Sequence, residues 1–229
     1  MNIWEYLSEP QPWVDTSNYT LTQILIFFSA AMMWVIVYID AIIGIIKKKT
    51  LFLPVIAICL NFGYEVTAAF FYLPDMGMLV SVGYWLWFLL DLFIIVHAFK
   101  YGHKQIKNAY FKKHFKAFML LGFLIAFTIE YFYMTTRDIA MAPYDAYIIN
   151  FVMSVCFLYM VFIPGYEGNS MVTAWFKFLG TGWTSVMFQM RYPDAHFLSV
   201  MYVAVAIFDI LYIYLLYQKK RGKLEYAIQ

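Results

Sequence analysis

Apolar residues run through this chain in seven long segments, which short polar stretches separate. A helix needs ~20 mostly apolar residues to cross the hydrocarbon core of a bilayer, and each segment has about that length. The pattern predicts an all-α fold, a polytopic bundle of seven transmembrane helices in one domain over residues 1–229. The predicted spans cover residues 21–46, 51–72, 78–99, 115–133, 146–163, 171–187 and 197–217. The sixth span is the least typical, because it is short and holds Lys177 and glycines.

The composition agrees with this pattern. Hydrophobic residues make up 64% of the chain and charged residues 13%, and the mean hydropathy is +0.69. A soluble domain of this length is far less apolar, so we expect an integral membrane protein surrounded by lipid. The sequence is compatible with a bacterial inner membrane and with the endoplasmic reticulum membrane.

The positions of the lysines predict the orientation of the bundle. Short cytoplasmic loops carry an excess of Lys and Arg. Three lysine clusters follow the first, third and seventh predicted spans, at residues 47–49, 100–116 and 219–223. Seven alternating helices place these clusters on one side, which predicts an N-terminus outside and a C-terminus in the cytoplasm. The net charge of +2 therefore reflects topology, and it gives no support for a nucleic-acid partner.

Carboxylic acids inside the predicted spans are the main candidates for chemistry. They are Asp40, Glu65, Asp91, Glu130 and Asp209. A charged group at the centre of a bilayer costs at least ~2.5 to 3.5 kcal/mol, so such residues usually face the interior and mark a functional site. We expect no equally deep Lys or Arg to pair with them, and burial without a cation favours the protonated acid. A buried, protonated acid is a proton donor.

Helical spacing predicts which side chains accompany each acid, because residues three, four and seven apart share a face. These companions are Asn61 for Glu65, Tyr84 and Trp87 for Asp91, and Tyr202 and Tyr212 for Asp209. The helical rise places Glu65 in the outer half of the membrane and the two aspartates near mid-depth, so the acids are expected to bracket an elongated cavity. Aromatic residues, 22% of the chain, stabilise cations by ~0.5 to 2 kcal/mol each at such sites. The alternative is that the acids only join helices through hydrogen bonds.

Several familiar chemistries lack their motifs in this sequence. It contains no aspartate-rich DDxxD cluster for magnesium and a diphosphate, and its four histidines lack metal-ligand spacing. The seventh span has no lysine for a retinal Schiff base. The sequence therefore predicts neither a metal site nor a cofactor.

Three short motifs carry a resemblance to a known family. The string Leu60-Asn61-Phe62-Gly63-Tyr64-Glu65 resembles the Asn-x-x-Trp-Glu segment of the small seven-helix transmembrane terpene cyclases of fungal meroterpenoid and indole diterpene pathways and their bacterial relatives. Trp87 and Asp91 are similar to a Trp-x-x-x-Asp feature of the third helix. The string Phe208-Asp209-Ile210-Leu211-Tyr212 resembles the region of a second essential acid. Tyr64 stands where the family usually has Trp.

The resemblance implies a metal-independent terpene cyclase that starts a carbocation cascade by protonating the terminal epoxide or alkene of a prenylated, lipophilic small molecule. Its essential acids correspond to Glu65 and Asp209, and which of them donates the proton stays open. Asn61 and Asp91 would give supporting hydrogen bonds. The candidate cation-stabilising walls are Tyr64, Tyr84, Trp87, Tyr202 and Tyr212. No obligate protein partner is expected.

Two other functions are compatible with the same residues. Buried acids on inward faces also form proton relays, so a proton-coupled transporter or channel is the main alternative. Such proteins usually show repeated halves with interrupted helices, which this sequence does not clearly show. In a non-catalytic receptor or assembly factor, the acids would serve only to hold the helices together.

Overall fold

A computed structural model describes residues 12–224 of the chain, so the two termini, whose sidedness was predicted above, lie outside it. This part of the chain contains eight α-helices, one 3₁₀ turn and no strand. The helices are α1 (Leu21–Lys48), α2 (Val55–Phe70), α3 (Met78–Tyr101), α4 (Ala109–Lys113), α5 (Phe115–Thr136), α6 (Pro143–Val161), α7 (Met171–Arg191) and α8 (His196–Lys220), with the 3₁₀ turn at Gly102–Gln105. Each predicted span corresponds to one long helix. The prediction of seven helices missed α4, a five-residue helix in the connection after α3.

Five of the helices are long and apolar enough to cross a membrane: α1, α3, α5, α6 and α8. Helix α2 is apolar but has only 16 residues. Helix α7 is more polar, since Thr173, Lys177 and Thr181 are among its buried residues. The fold is therefore that of an integral membrane protein, while the count of seven crossings and their orientation stay predictions.

Helix α2 is shorter than its predicted span of 51–72 because Pro54 starts it. Proline disfavours a helical conformation in the residue before it, so the preceding residues form a loop. This loop is buried, and its carbonyl groups need hydrogen-bond donors from the protein. Tyr166 Oη donates to Leu51 O (2.6 Å) and Gln105 Nε2 donates to Leu53 O (2.7 Å). The two side chains thus hold the entrance to α2 in place.

The lysine clusters lie together at one end of the bundle. The contacts that show this are Lys104 Nζ to Lys49 O (2.7 Å), Lys48 Nζ to Glu167 O (3.3 Å) and Lys219 Nζ to Val161 O (2.7 Å). At the other end Tyr19 Oη donates to Asp75 Oδ1 (2.7 Å) and Tyr192 Oη donates to Ala140 O (3.0 Å). We call the first the basic end. This asymmetry is the pattern on which the predicted orientation rests.

Small residues bring non-sequential helices close together, as is common in membrane bundles. A Cβ atom on Gly63 of α2 would lie 2.9 Å from the backbone carbon of Ala126 in α5. A Cβ atom on Gly180 of α7 would lie 2.9 Å from Trp34 Cδ1 in α1. Helix α2 also packs on α3 and α6, so its inward face lies in the middle of the bundle.

Candidate active site

Glu65 borders a cavity of about 130 Å³ that residues of α1, α2, α3, α6 and α7 enclose. The predicted site residues that line it are Asn61, Tyr64, Glu65, Tyr84 and Trp87. Helices α2 and α3 therefore supply all of them. Helical spacing had grouped Asn61 with Glu65 and Tyr84 with Trp87, and Tyr64 came from the resemblance. The remaining predicted residues, Asp91, Tyr202, Asp209 and Tyr212, do not line this cavity.

Within residues 12–224 the Glu65 carboxyl has no cationic partner. The residue is 6% exposed, and its Oε2 atom has no hydrogen-bond donor or acceptor within residues 12–224. The described lining contains no Lys or Arg. Burying a carboxylate without a cation or hydrogen bonds is very costly, so this environment suits a neutral acid that carries its proton.

Hydrogen bonds behind the cavity fix the side chain of Asn61. Its amide nitrogen donates to Tyr38 Oη (2.9 Å) and to Asp91 Oδ2 (2.9 Å). Asp91 is 3% exposed and sits one hydrogen bond away from the cavity wall. This is the arrangement expected of supporting groups, because both amide protons are used and the orientation of the Asn61 side chain is set.

Aromatic rings form much of the wall. Tyr64 and Tyr84 have ring centroids 6.1 Å apart at an interplanar angle of 62°, and their hydroxyl groups lie 3.3 Å apart. Trp87 follows at 6.1 Å from the Tyr84 ring. Tyr147 of α6 lines another part of the cavity, and its hydroxyl lies 2.7 Å from Ser185 Oγ.

Asp209 has a partner that the sequence analysis did not expect. Lys177 Nζ of α7 lies 2.7 Å from Asp209 Oδ1 and 2.8 Å from Oδ2, and it donates a third hydrogen bond to Ser154 Oγ of α6 (2.7 Å). Lys177 is 0% exposed and Asp209 1%. The expectation that no deep cation pairs with the acids is therefore wrong for Asp209, and this aspartate does not bracket the cavity with Glu65. Helical spacing within one segment does not show that Lys177 of α7 faces Asp209 of α8.

The two tyrosines of α8 lie outside the lining of the cavity. The Tyr202 ring lies 4.6 Å from the ring of Tyr147, which lines the cavity. The Tyr212 ring lies 4.9 Å from that of Phe157. Neither tyrosine lines the cavity, so the role of both as cation-stabilising walls stays a prediction.

The other two acids within spans contact neighbouring helices. Asp40 Oδ2 accepts hydrogen bonds from Thr173 N (3.2 Å) and Thr173 Oγ1 (2.7 Å), so it joins α1 to the first turn of α7. Glu130 of α5 is 2% exposed and packs against α2, where a Cβ atom on Gly63 would lie 3.0 Å from its Cγ atom. Neither acid lines the cavity, which agrees with the alternative that some acids join helices.

The lining residues that the sequence prediction left out include Tyr38, Tyr147 and Asn150. The spacing of Tyr147, Asn150 and Ser154 along α6 was a usable signal, since polar residues three and four apart share one helix face. Tyr38 gave no such signal, because only the packing of α1 against the bundle turns it toward Asn61.

Comparison with known proteins identifies the family of this chain. The family model of the Pyr4-like transmembrane terpene cyclases matches residues 8–222, which is nearly the whole chain. Comparisons with curated proteins and with solved structures give no significant match. The matched region includes every helix described above and the whole cavity around Glu65. The chain therefore belongs to the family of Pyr4-like transmembrane terpene cyclases.

Proposed function

We propose that this protein is a metal-independent terpene cyclase that starts the reaction by protonation, with Glu65 as the proton donor. The observation that carries the proposal is the buried Glu65 carboxyl beside an aromatic cavity, with its Oε2 atom lacking a hydrogen-bond partner in residues 12–224. Glu65 also stands at the position of the first essential acid that the resemblance implies.

The reaction begins with transfer of the Glu65 proton to the substrate. If the substrate ends in an epoxide, the proton goes to the oxygen and a C–O bond breaks, which leaves a hydroxyl group and a tertiary carbocation. If it ends in an alkene, the π electrons form a new C–H bond. Neighbouring double bonds then attack the cation in turn, and the last cation loses a proton to a base. Glu65 must regain a proton before the next turnover.

The cavity wall supports such a cascade. The faces of Tyr64, Tyr84 and Trp87 offer negative electrostatic potential to a passing cation, worth ~0.5 to 2 kcal/mol for each ring. An apolar surrounding also keeps water away from the cation. The cavity volume of about 130 Å³ is below the ~300 to 1,000 Å³ of most ligand pockets, so binding of a prenylated substrate widens it by rotation of lining side chains.

Asp209 has a different role in this proposal. A carboxylate that accepts two hydrogen bonds from the Lys177 ammonium has no proton to donate. Its position between α6, α7 and α8 instead makes it a positioning residue, which acts through Lys177 on the helices that carry part of the cavity wall. We assign the essential proton to Glu65 alone.

The experiment compares purified wild-type protein with Glu65→Gln on a prenylated aromatic compound that bears a terminal epoxide. Loss of a general acid lowers a rate by ~10²- to 10⁴-fold, so cyclisation by the variant should fall at least 100-fold while its melting temperature changes little. Asp40→Asn is the matched control, since it changes an acid outside the cavity. Wild-type turnover should also persist in excess chelator. A near wild-type rate for Glu65→Gln, or loss on chelation with recovery on adding magnesium, would contradict the mechanism.

A further inference from the structure

A basic pocket lies at the basic end of the bundle, away from the candidate active site. Its volume is about 510 Å³, and it is formed where the end of α3 meets α4 and the start of α5. The cationic residues that line it are Lys100, His103, Lys112, Lys113, His114 and Lys116. The four lysines are exposed, and none has a carboxylate within ion-pairing distance in residues 12–224. The pocket therefore has an uncompensated positive charge that suits an anion.

An apolar groove begins beside this pocket. The groove has a volume of about 550 Å³ and runs between α2 and α5, and the ring of Phe115 lines both the groove and the basic pocket. Its side chains include Ile56, Ile125 and Ile129, which are 59%, 50% and 54% exposed. On a membrane protein such a surface faces acyl chains. The basic pocket and the apolar groove therefore adjoin each other at Phe115.

The short helix α4 beside the basic pocket carries residue types that are common at the depth of lipid headgroups. Its Tyr110 and Phe111 are 64% and 49% exposed, and both precede Lys112 and Lys113 directly. Aromatic residues are enriched at the membrane interface, where lysines also meet the phosphate groups. A soluble anion would account for the lysines but leave the exposed rings and the groove without a ligand.

We propose that this surface binds an anionic phospholipid, with its phosphate in the basic pocket and one acyl chain in the apolar groove. Lysines near an anionic membrane surface attract its lipids, and basic pockets beside transmembrane helices hold anionic headgroups. The site is separate from the Glu65 cavity and is independent of the cyclase chemistry.

The experiment measures lipid retention by the full-length protein, purified in detergent and examined by native mass spectrometry. Phosphatidylglycerol is compared with phosphatidylcholine of the same acyl chains. The wild type should retain phosphatidylglycerol at least 10-fold more tightly than phosphatidylcholine. The triple variant Lys112→Gln, Lys113→Gln and Lys116→Gln should lose that preference. A control with Lys47→Gln, Lys220→Gln and Lys223→Gln removes three exposed lysines outside the pocket and should keep it.

Two further arms separate the lipid from a soluble anion. Glycerol phosphate at millimolar concentration should not displace the bound lipid, because it has no acyl chain for the groove. Ile125→Trp, an exposed position in the groove, should weaken lipid retention at least 5-fold. Equal retention by the pocket triple variant and the control variant would overturn the proposal, and so would displacement by glycerol phosphate. If the pocket variant fails to fold, the single variant Lys116→Gln is compared with Lys47→Gln by the same readout.

Discussion

The buried ion pair gives the sharpest test of how Asp209 acts. Asp209→Asn removes the negative charge but leaves Lys177 fully buried beside Ser154. An uncompensated buried charge is strongly destabilising, and removing one partner of a buried pair costs ~3 to 5 kcal/mol in measured cases. We therefore expect Asp209→Asn to lower the free energy of unfolding by about 3 kcal/mol or more.

Replacing both partners should have a much smaller effect. In the double variant Lys177→Met with Asp209→Leu, two apolar side chains of similar volume occupy the site, a change that is often neutral or stabilising. Ser154 remains satisfied, since its hydroxyl also donates to Asn150 O (2.8 Å). We expect the double variant to regain most of the stability that Asp209→Asn loses, and at least a tenth of wild-type cyclisation.

The free energy of unfolding is measured by titration of the purified protein with denaturing detergent, followed by tryptophan fluorescence, and cyclisation is measured on the same samples. A loss below 1 kcal/mol for Asp209→Asn would refute the argument from the ion pair, as would a double variant no more stable than Asp209→Asn. A double variant that folds well but does not cyclise would show that Asp209 takes part in the reaction itself. In that case the positioning role is wrong.

Three further predictions concern the packing of α2, the hydrogen bonds of Asp40 and the orientation in the membrane. Gly63→Ala should lower the free energy of unfolding by ~1 to 3 kcal/mol, because the new methyl group would lie 2.9 Å from the α5 backbone. Stability equal to wild type would show that α2 and α5 can separate without cost. Asp40→Asn should keep activity and stability, since the amide oxygen still accepts from Thr173, whereas Asp40→Ala should lose ~1 kcal/mol in thermal unfolding. A reporter fused after Lys223 should read cytoplasmic and one inserted at Asp75 external, and the reverse result would refute the orientation.

Local spacing was enough to predict much of the candidate site. Asn61, Tyr64 and Glu65 come from one helix, and helical periodicity alone places Asn61 and Glu65 on one face. The same holds for Tyr84 and Trp87 on α3. The ends of the long helices were also close to prediction, because apolar length sets where a chain can cross a bilayer. The loop before α2 was missed, since it is as apolar as a helix and only Pro54 marks the boundary.

Contacts between distant segments were decided only by the tertiary structure. Lys177 and Asp209 are 32 residues apart, and their pairing depends on how α7 and α8 are rotated about their axes. Helices α1 and α7 pack together, as do α2 and α5, although neither pair is adjacent in sequence. Periodicity identifies which residues of one helix share a face, but it does not identify the helix that this face meets. The sequence alone therefore determined a membrane bundle with an acid on the inward face of α2. Packing decided that Lys177 pairs with Asp209 and that Glu65 has no cationic partner in the part of the chain that the structure describes.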